Sequence, residues 1–139
     1  MTEQTPEDFD WVSAHASCNA AATFDRLRAG AAEDVGRRNA QIGDDGHPRF
    51  AVEDGEDEDQ FEVTRIDDDD QVTAFVSFKR EGRRILVAGD GVDVDLTIVT
   101  TVDASGACRC VVGEALYTEW EVRRMALEVL FFEMDAPEE

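Results

Sequence analysis

The chain has 139 residues and a mass of 15.4 kDa, and its 33 acidic and 13 basic residues give a formal net charge of −20 at pH 7. A chain of this length forms one domain and buries roughly two thirds of its unfolded surface. The excess of carboxylates opposes direct binding to nucleic-acid phosphates and to anionic membranes, and it favours a basic partner. We therefore predict a single domain over residues 1–139 that binds neither nucleic acid nor a membrane.

The cysteines and the start of the chain bear on location. Cys18, Cys108 and Cys110 form neither an even disulfide set nor a Cys-x-x-Cys redox motif, so we interpret them as small buried side chains. Residues 1–8 are polar and acidic, unlike a secretory signal. No apolar run approaches the roughly 18 residues that span a bilayer. These features predict a soluble protein of the reducing cytoplasm.

A long N-terminal helix is predicted by small and apolar side chains that recur every three or four positions over residues 9–35. Thr5 and Pro6 provide its start, and the pattern continues to about Gln41. An unbroken helix would be roughly 50 Å long at 1.5 Å per residue, longer than a small sheet covers. We therefore expect Gly30 or Gly36 to bend or end it, or its distal part to pack on another subunit.

The middle of the chain alternates apolar and polar residues with the period of two that is typical of antiparallel strands. The clearest case is residues 92–102, where Val92, Val94 and Leu96 alternate with Asp93 and Asp95. Turn residues separate the other alternating segments. The pattern predicts an antiparallel meander of five or six strands at residues 49–53, 60–66, 71–79, 83–88, 92–102 and 107–112.

A second helix is predicted near the C-terminus. Thr118 and Glu121 have the spacing of a capping box, in which each side chain bonds the other residue's backbone amide. The helix that follows is apolar over more than half of its circumference, so it needs two neighbours. We expect the sheet to be one, and the N-terminal helix or a second subunit to be the other. The predicted class is α+β, with both helices on one sheet face.

The acidic segments are the strongest anomaly in the composition. Eleven of the eighteen residues from 53 to 70 are acidic, but their spacing does not match a calcium-binding EF-hand loop. We interpret them as solvated turns and predict neither a metal nor a cofactor. The candidate surface for a basic protein is the run Asp67, Asp68, Asp69 and Asp70. Adaptation to high salt explains the same composition without a partner.

No catalytic motif accompanies these features. His15 precedes Cys18 by three positions, but the chain has no P-loop and no Gly-x-Ser-x-Gly elbow. We therefore predict a non-enzymatic acidic interaction module, expected as a homodimer, that engages a basic protein; in one version its acids mimic nucleic acid. The alternative is a small-molecule binder or enzyme with an apolar cavity between sheet and helices, lined by Phe75, Phe78, Leu96, Trp120 and Phe131.

Overall fold

The computed structural model describes residues 9–133, which form three α-helices and one seven-stranded sheet and confirm the α+β class. Helix α3 continues into a π-helical turn, Val129–Glu133. In chain order the elements are α1 (Trp11–Ser17), α2 (Ala20–Ile42), β1 (Arg49–Asp54), β2 (Gln60–Ile66), β3 (Val72–Glu81), β4 (Arg84–Asp90), β5 (Asp95–Val102), β6 (Cys108–Val112), β7 (Ala115–Tyr117) and α3 (Glu119–Glu128).

The N-terminal helical segment is broken between α1 and α2, at Cys18 and Asn19. The Asn19 side chain accepts a hydrogen bond from the amide of Ala22 at 2.8 Å and so caps the start of α2. The prediction that Gly30 or Gly36 ends the helix is wrong, because both lie inside α2. A capping side chain, rather than backbone flexibility, sets the boundary. The predicted start at residues 5 and 6 lies outside the described residues.

The strands follow one another in the order β1 to β7, each antiparallel to its neighbours, as expected for a meander. The structure has one strand more than the upper limit of the prediction. That strand, β7, has only three residues and follows a turn in which Gly113 adopts a left-handed φ of 64°. It was missed because three residues are too few to show a period.

Helices α2 and α3 cover the same face of the sheet, and the core lies between them and the strands. From α2, Phe24 and Leu27 point into this core, and the ring of Phe24 meets the edge of Phe61 with centroids 5.3 Å apart. Phe61 stacks on Phe78 at 4.5 Å. Each such side chain contributes roughly 1.5–3 kcal/mol when fully buried. This aromatic stack holds α2 over the middle of the sheet.

The capping box that was predicted at the start of α3 is confirmed: Thr118 accepts from the amide of Glu121, whose carboxylate accepts from the amide of Thr118. Helix α3 then lies beside α2, where Arg26 pairs with Glu119 at 2.7 Å. The two neighbours of its apolar face are therefore the sheet and α2, both in the same chain. The packing of α3 does not require a second subunit, and the homodimer stays a prediction.

The first strand is protected at the edge of the sheet. The amide group of Asn39, on α2, donates to the carbonyl of Phe50 and accepts from its N–H, both at 2.9 Å. These bonds occupy backbone groups of β1 that β2 does not use. An open strand edge invites pairing with another chain, so Asn39 restricts that route to association.

Candidate functional site

Three loops rich in aspartate leave the sheet at the same end. The pairing of Arg49 with Ile66 places the loop before β1 beside the β2–β3 turn. The pairing of Phe75 with Asp90 places the β4–β5 loop at that end as well. We call this end the acidic edge and define it by nine carboxylates: Asp44, Asp45, Asp67, Asp68, Asp69, Asp70, Asp90, Asp93 and Asp95.

The β2–β3 turn carries the predicted partner-binding run. The amide of Asp67 donates to the carbonyl of Gln71 at 3.0 Å, and the amide of Asp70 donates to the carbonyl of Asp67 at 2.9 Å, closing the turn. Asp70 adopts a left-handed φ of 64°, which aspartate tolerates better than most residues. This geometry leaves Asp68, Asp69 and Asp70 exposed to solvent. The structure thus displays three of the four carboxylates of the run together.

Few charges of the acidic edge are paired. Asp67 lies 3.3 Å from Arg65. Among residues 9–133, the other eight carboxylates of the edge form no ion pair. Like charges that gather at one place without cations repel one another and attract a cationic surface. The edge is therefore a concentrated source of negative potential.

Three carboxylates at the opposite end of the sheet are paired with arginines. There Asp54 and Asp59 are paired with arginines, at 2.7 Å and 3.0 Å. Asp103 accepts from the hydroxyl of Ser105 at 2.6 Å, from the amide of Ala107 and from the guanidinium of Arg109 at 2.8 Å. These donors hold the pKa of Asp103 well below its usual range. Arginines and local donors therefore stabilise these three carboxylates as part of the fold.

The five side chains predicted to line an apolar cavity do not lie together. Phe78 is buried in the core, whereas Phe75 stands on the opposite, open face of β3. Leu96 packs against the core from β5. Trp120 is 55% exposed on α3, and the buried ring of Phe131 packs against Phe50. Phe78 and Phe131 are therefore part of the core between sheet and helices and Leu96 packs against it, whereas Phe75 and Trp120 lie outside it.

A groove of about 350 Å³ lies instead on the outer side of the helix layer, between α2 and α3. Trp120 and Phe132 are both more than half exposed beside it, and Leu127 and Phe131 are buried below. We call it the helix groove. Its lining residues are Asp34, Arg37, Arg38, Gln41, Trp120, Arg123, Arg124, Leu127, Glu128, Phe131 and Phe132.

Ion pairs and a ring contact hold the basic side chains of the helix groove. Arg123 donates to Asp34 at 2.8 Å, and Asp34 also lies 3.3 Å from Arg37, so one carboxylate joins the two helices. Arg38 donates to the carbonyl of Phe131 at 3.1 Å, and its guanidinium lies 4.3 Å from the ring centroid of Phe132. The lining has four arginines and two carboxylates, a formal charge of +2. Since the whole chain carries −20, everything else carries −22.

Sequence reasoning missed this groove. The signal that was available is two of the three arginine doublets of the chain, Arg37 with Arg38 and Arg123 with Arg124. Each doublet lies on a helix whose other face is apolar. Nothing in the order of residues shows that the two doublets face one groove, because that depends on α3 packing beside α2.

The cysteines differ from the prediction. Cys18 and Cys108 form a disulfide across 90 positions of the chain, so their interpretation as free buried side chains is wrong. The bridge attaches the α1–α2 junction to β6. Cys110 is free and buried, as predicted, and burial raises the pKa of its thiol to about 11. Disulfides persist mainly in oxidising compartments, so cysteine usage no longer supports a cytoplasmic location.

Features that would indicate catalysis or metal binding are weak in the described part of the chain. The sulfur of Cys18 is bonded to Cys108, so it is no nucleophile for a base such as His15 while the bridge is intact. Within residues 9–133, no group of three or more His, Cys, Asp or Glu side chains is arranged to hold a metal ion. No helix in that range has both the length and the apolar character needed to cross a bilayer.

Comparisons with known proteins supply no family and no relative. No protein-family model matches the chain, and neither the curated proteins nor the solved structures yield a significant match. The function must therefore be inferred from the acidic edge and the helix groove themselves.

Proposed function

We propose that the protein is a non-enzymatic interaction module whose acidic edge binds a basic partner protein. One observation carries this proposal: nine carboxylates gather at one end of the sheet, and eight of them form no ion pair with any part of residues 9–133. At the opposite end Asp54, Asp59 and Asp103 are paired with arginines, while Glu56, Asp57 and Glu58 are exposed and form no ion pair within residues 9–133. The edge is therefore distinguished by how many unpaired carboxylates it holds.

The physical basis of such binding is long-range attraction followed by ion pairing. At physiological ionic strength the Debye length is about 8 Å, so a group of adjacent carboxylates acts on a basic surface before contact. This attraction raises the association rate, and paired charges at contact add specificity. A partner with lysines and arginines clustered on its surface or in an extended tail has the required chemistry. In the nucleic-acid-mimic version of this proposal, that surface is the DNA-binding face of the partner.

The alternative function, a small-molecule binder or an enzyme, has less support. Its five predicted residues are dispersed, and only Trp120 and Phe131 line the helix groove. That groove is open at a rim of exposed aromatic rings, whereas small-molecule sites bury most of their ligand. We therefore rank this function second.

The proposal is tested by a triple substitution at the edge, Asp68→Asn, Asp69→Asn and Asp70→Asn. The matched control, Glu56→Gln, Asp57→Asn and Glu58→Gln, removes the same charge from exposed residues at the other end of the sheet. Calorimetric titration with an oligolysine peptide at about 0.15 M salt should show affinity falling about tenfold for the edge variant and by about threefold or less for the control.

Equal losses in both variants would mean that oligolysine senses only the net charge, and the edge would then not be a binding site. The same pair of variants can be used in a pull-down from a lysate. If the edge variant retains every partner of the unmodified protein, the proposal fails. For the mimic version, duplex DNA should compete with the protein for a captured partner.

A further inference from the structure

We propose that the helix groove is a second docking surface, and that its occupant is an acidic peptide segment of a partner protein with an apolar anchor side chain. This inference does not rest on the acidic edge, because the two surfaces have opposite local charge. It would make the protein an adaptor that engages a basic surface at one place and an acidic segment at another.

Two aromatic rings form an apolar rim on the helix groove. Trp120 and Phe132 are 55% and 56% exposed, although both belong to the helical segment that also contributes Leu127 and Phe131 to the core. Aromatic residues and arginine are enriched at the energetic centres of protein interfaces. An anchor side chain placed between the two rings would continue the apolar floor that Leu127 and Phe131 already form.

Arginine is concentrated in the lining of the helix groove. The groove is lined by four arginines, and its formal charge of +2 contrasts with −22 for the rest of the chain. Arg37 and Arg124 are 66% and 63% exposed. Each is paired with a carboxylate one helical turn away on its own helix, at 3.5 Å and 3.3 Å, and exposed pairs of this kind contribute little. These guanidiniums are available to exchange for the carboxylates of a partner.

The remaining two arginines, Arg38 and Arg123, are held in place by contacts within the helix layer. The guanidinium of Arg123 lies against Gly30, where the absence of a Cβ leaves space for it. Arg123 also donates a hydrogen bond to Asp34. Arg38 is held between the Phe131 carbonyl and the Phe132 ring. A guanidinium has five N–H donors, so each of these side chains keeps donors beyond the bonds it makes here. A carboxylate approaching the groove therefore meets donors already held in place.

An acidic segment fits this groove better than the other occupants. A second copy of the chain brings a net charge of −20 of its own, so it is repelled far more strongly than a short segment that carries only a few carboxylates. A small molecule in the groove would leave both rim rings partly in water. A peptide segment, by contrast, covers both rings with successive side chains in the manner of helix-in-groove recognition, and its carboxylates reach Arg37 and Arg124.

The test uses Trp120 as the reporter. The chain has two tryptophans, so Trp11→Phe leaves Trp120 as the sole indole. The probe is a synthetic amphipathic helical peptide with leucines on one face and glutamates on the other, and the control peptide has lysine in place of every glutamate. The glutamate peptide should change Trp120 emission saturably. The lysine peptide should leave that emission unchanged, even though it binds the acidic edge.

Two pairs of substitutions then locate the site. Arg37→Gln with Arg124→Gln removes two exposed charges at the groove, and Arg83→Gln with Arg84→Gln removes two exposed charges at the β3–β4 turn. Both double variants have the same net charge. The affinity for the glutamate peptide should fall by about tenfold in the groove pair and by about twofold or less in the turn pair. Unchanged melting temperatures confirm that folding is intact.

Four outcomes would overturn the inference. The first is emission that does not respond to the glutamate peptide, and the second is an equal loss of affinity in the two double variants. The third is a dimer in sedimentation that the groove pair dissociates, because the occupant would then be a second copy. The fourth is saturation by benzoate as tightly as by the peptide, which would make the groove a small-molecule site. Each outcome leaves the oligolysine result at the acidic edge untouched.

Discussion

Each of the four arginines of the helix groove bonds to a side chain or a carbonyl of the helical layer, whereas eight of the nine carboxylates of the acidic edge form no ion pair within residues 9–133. Of these arginines, Arg38 and Arg123 join α2 to the C-terminal helical segment and so contribute to the packing of the helix layer. The carboxylates of the edge contribute nothing to the fold and repel one another. Substitutions that break the contacts joining the helix layer should consequently destabilise the protein, while substitutions at the edge should be neutral or stabilising.

The largest effect is expected on breaking the bridge that attaches the helix layer to β6. Replacing Cys18 and Cys108 with serine should lower the free energy of unfolding by about 3–5 kcal/mol, because the bridge closes a loop of 90 positions in the unfolded chain. Urea unfolding measures this. The control is Cys110→Ala, which removes one small buried side chain at a loss of about 1 kcal/mol. A double variant no less stable than the control would show that the bridge does not hold the layer.

Two glycines of α2 test how closely α3 packs against it. Gly36 faces open space, so Gly36→Ala should stabilise the protein by about 1 kcal/mol through helix propensity. At Gly30 a Cβ would lie 2.5 Å from the guanidinium of Arg123. Gly30→Ala must displace that side chain from Asp34, so it should lose this gain and be about 1 kcal/mol less stable than Gly36→Ala. Equal stability in thermal melts would mean that the contact between Arg123 and α2 is loose.

At the acidic edge, Asp70 allows backbone conformation to be separated from charge. Because its φ of 64° is left-handed, Asp70→Gly should stabilise the protein by about 0.5–1 kcal/mol. Asp70→Asn removes the same charge but keeps a side chain at that φ, so it should gain less. If chemical denaturation shows the same gain for both variants, charge repulsion rather than conformation limits stability at this turn.

The smallest effect is expected from salt. Melting curves of the unmodified protein between about 0.1 M and 1 M potassium chloride should show a gain of less than about 1 kcal/mol, since the edge carboxylates lie in exposed turns where water weakens their mutual repulsion. The edge triple variant should show a still smaller gain. A steep rise would mean that uncompensated charge destabilises the fold in dilute buffer. Salt adaptation would then explain the composition, and the argument for a basic partner would be lost.

Most of the fold could be predicted because its signals are local. The strand at residues 60–66 was placed at its observed bounds, since Phe61 and Val63 alternate with polar neighbours. Thr118 and Glu121 identified the start of α3 through a capping pattern only four residues long. Where a local signal is ambiguous the prediction was wrong: Gly30 and Gly36 resemble helix breakers, although one accommodates Arg123 and the other is a solvent-exposed helical position.

The two candidate surfaces were predictable to different degrees. The run from Asp67 to Asp70 was identified directly, because a turn rich in aspartate is exposed wherever it occurs. The joining of that run with Asp90 and Asp93 depends on the order of strands in the sheet. The helix groove was not predicted at all, since its arginines come from segments about ninety positions apart, as Arg38 and its partner Phe131 show.

The amino-acid sequence by itself determined the elements of this protein: a helical N-terminal segment, an alternating meander and a capped final helix, together with a formal net charge of −20. Only the tertiary structure decided that Cys18 meets Cys108, that three aspartate-rich loops share one end of the sheet, and that two arginine doublets face one groove. The physical reason is the distance along the chain over which each kind of interaction acts. Backbone periodicity and capping act over a few residues, whereas these contacts follow from how distant elements pack around a common core.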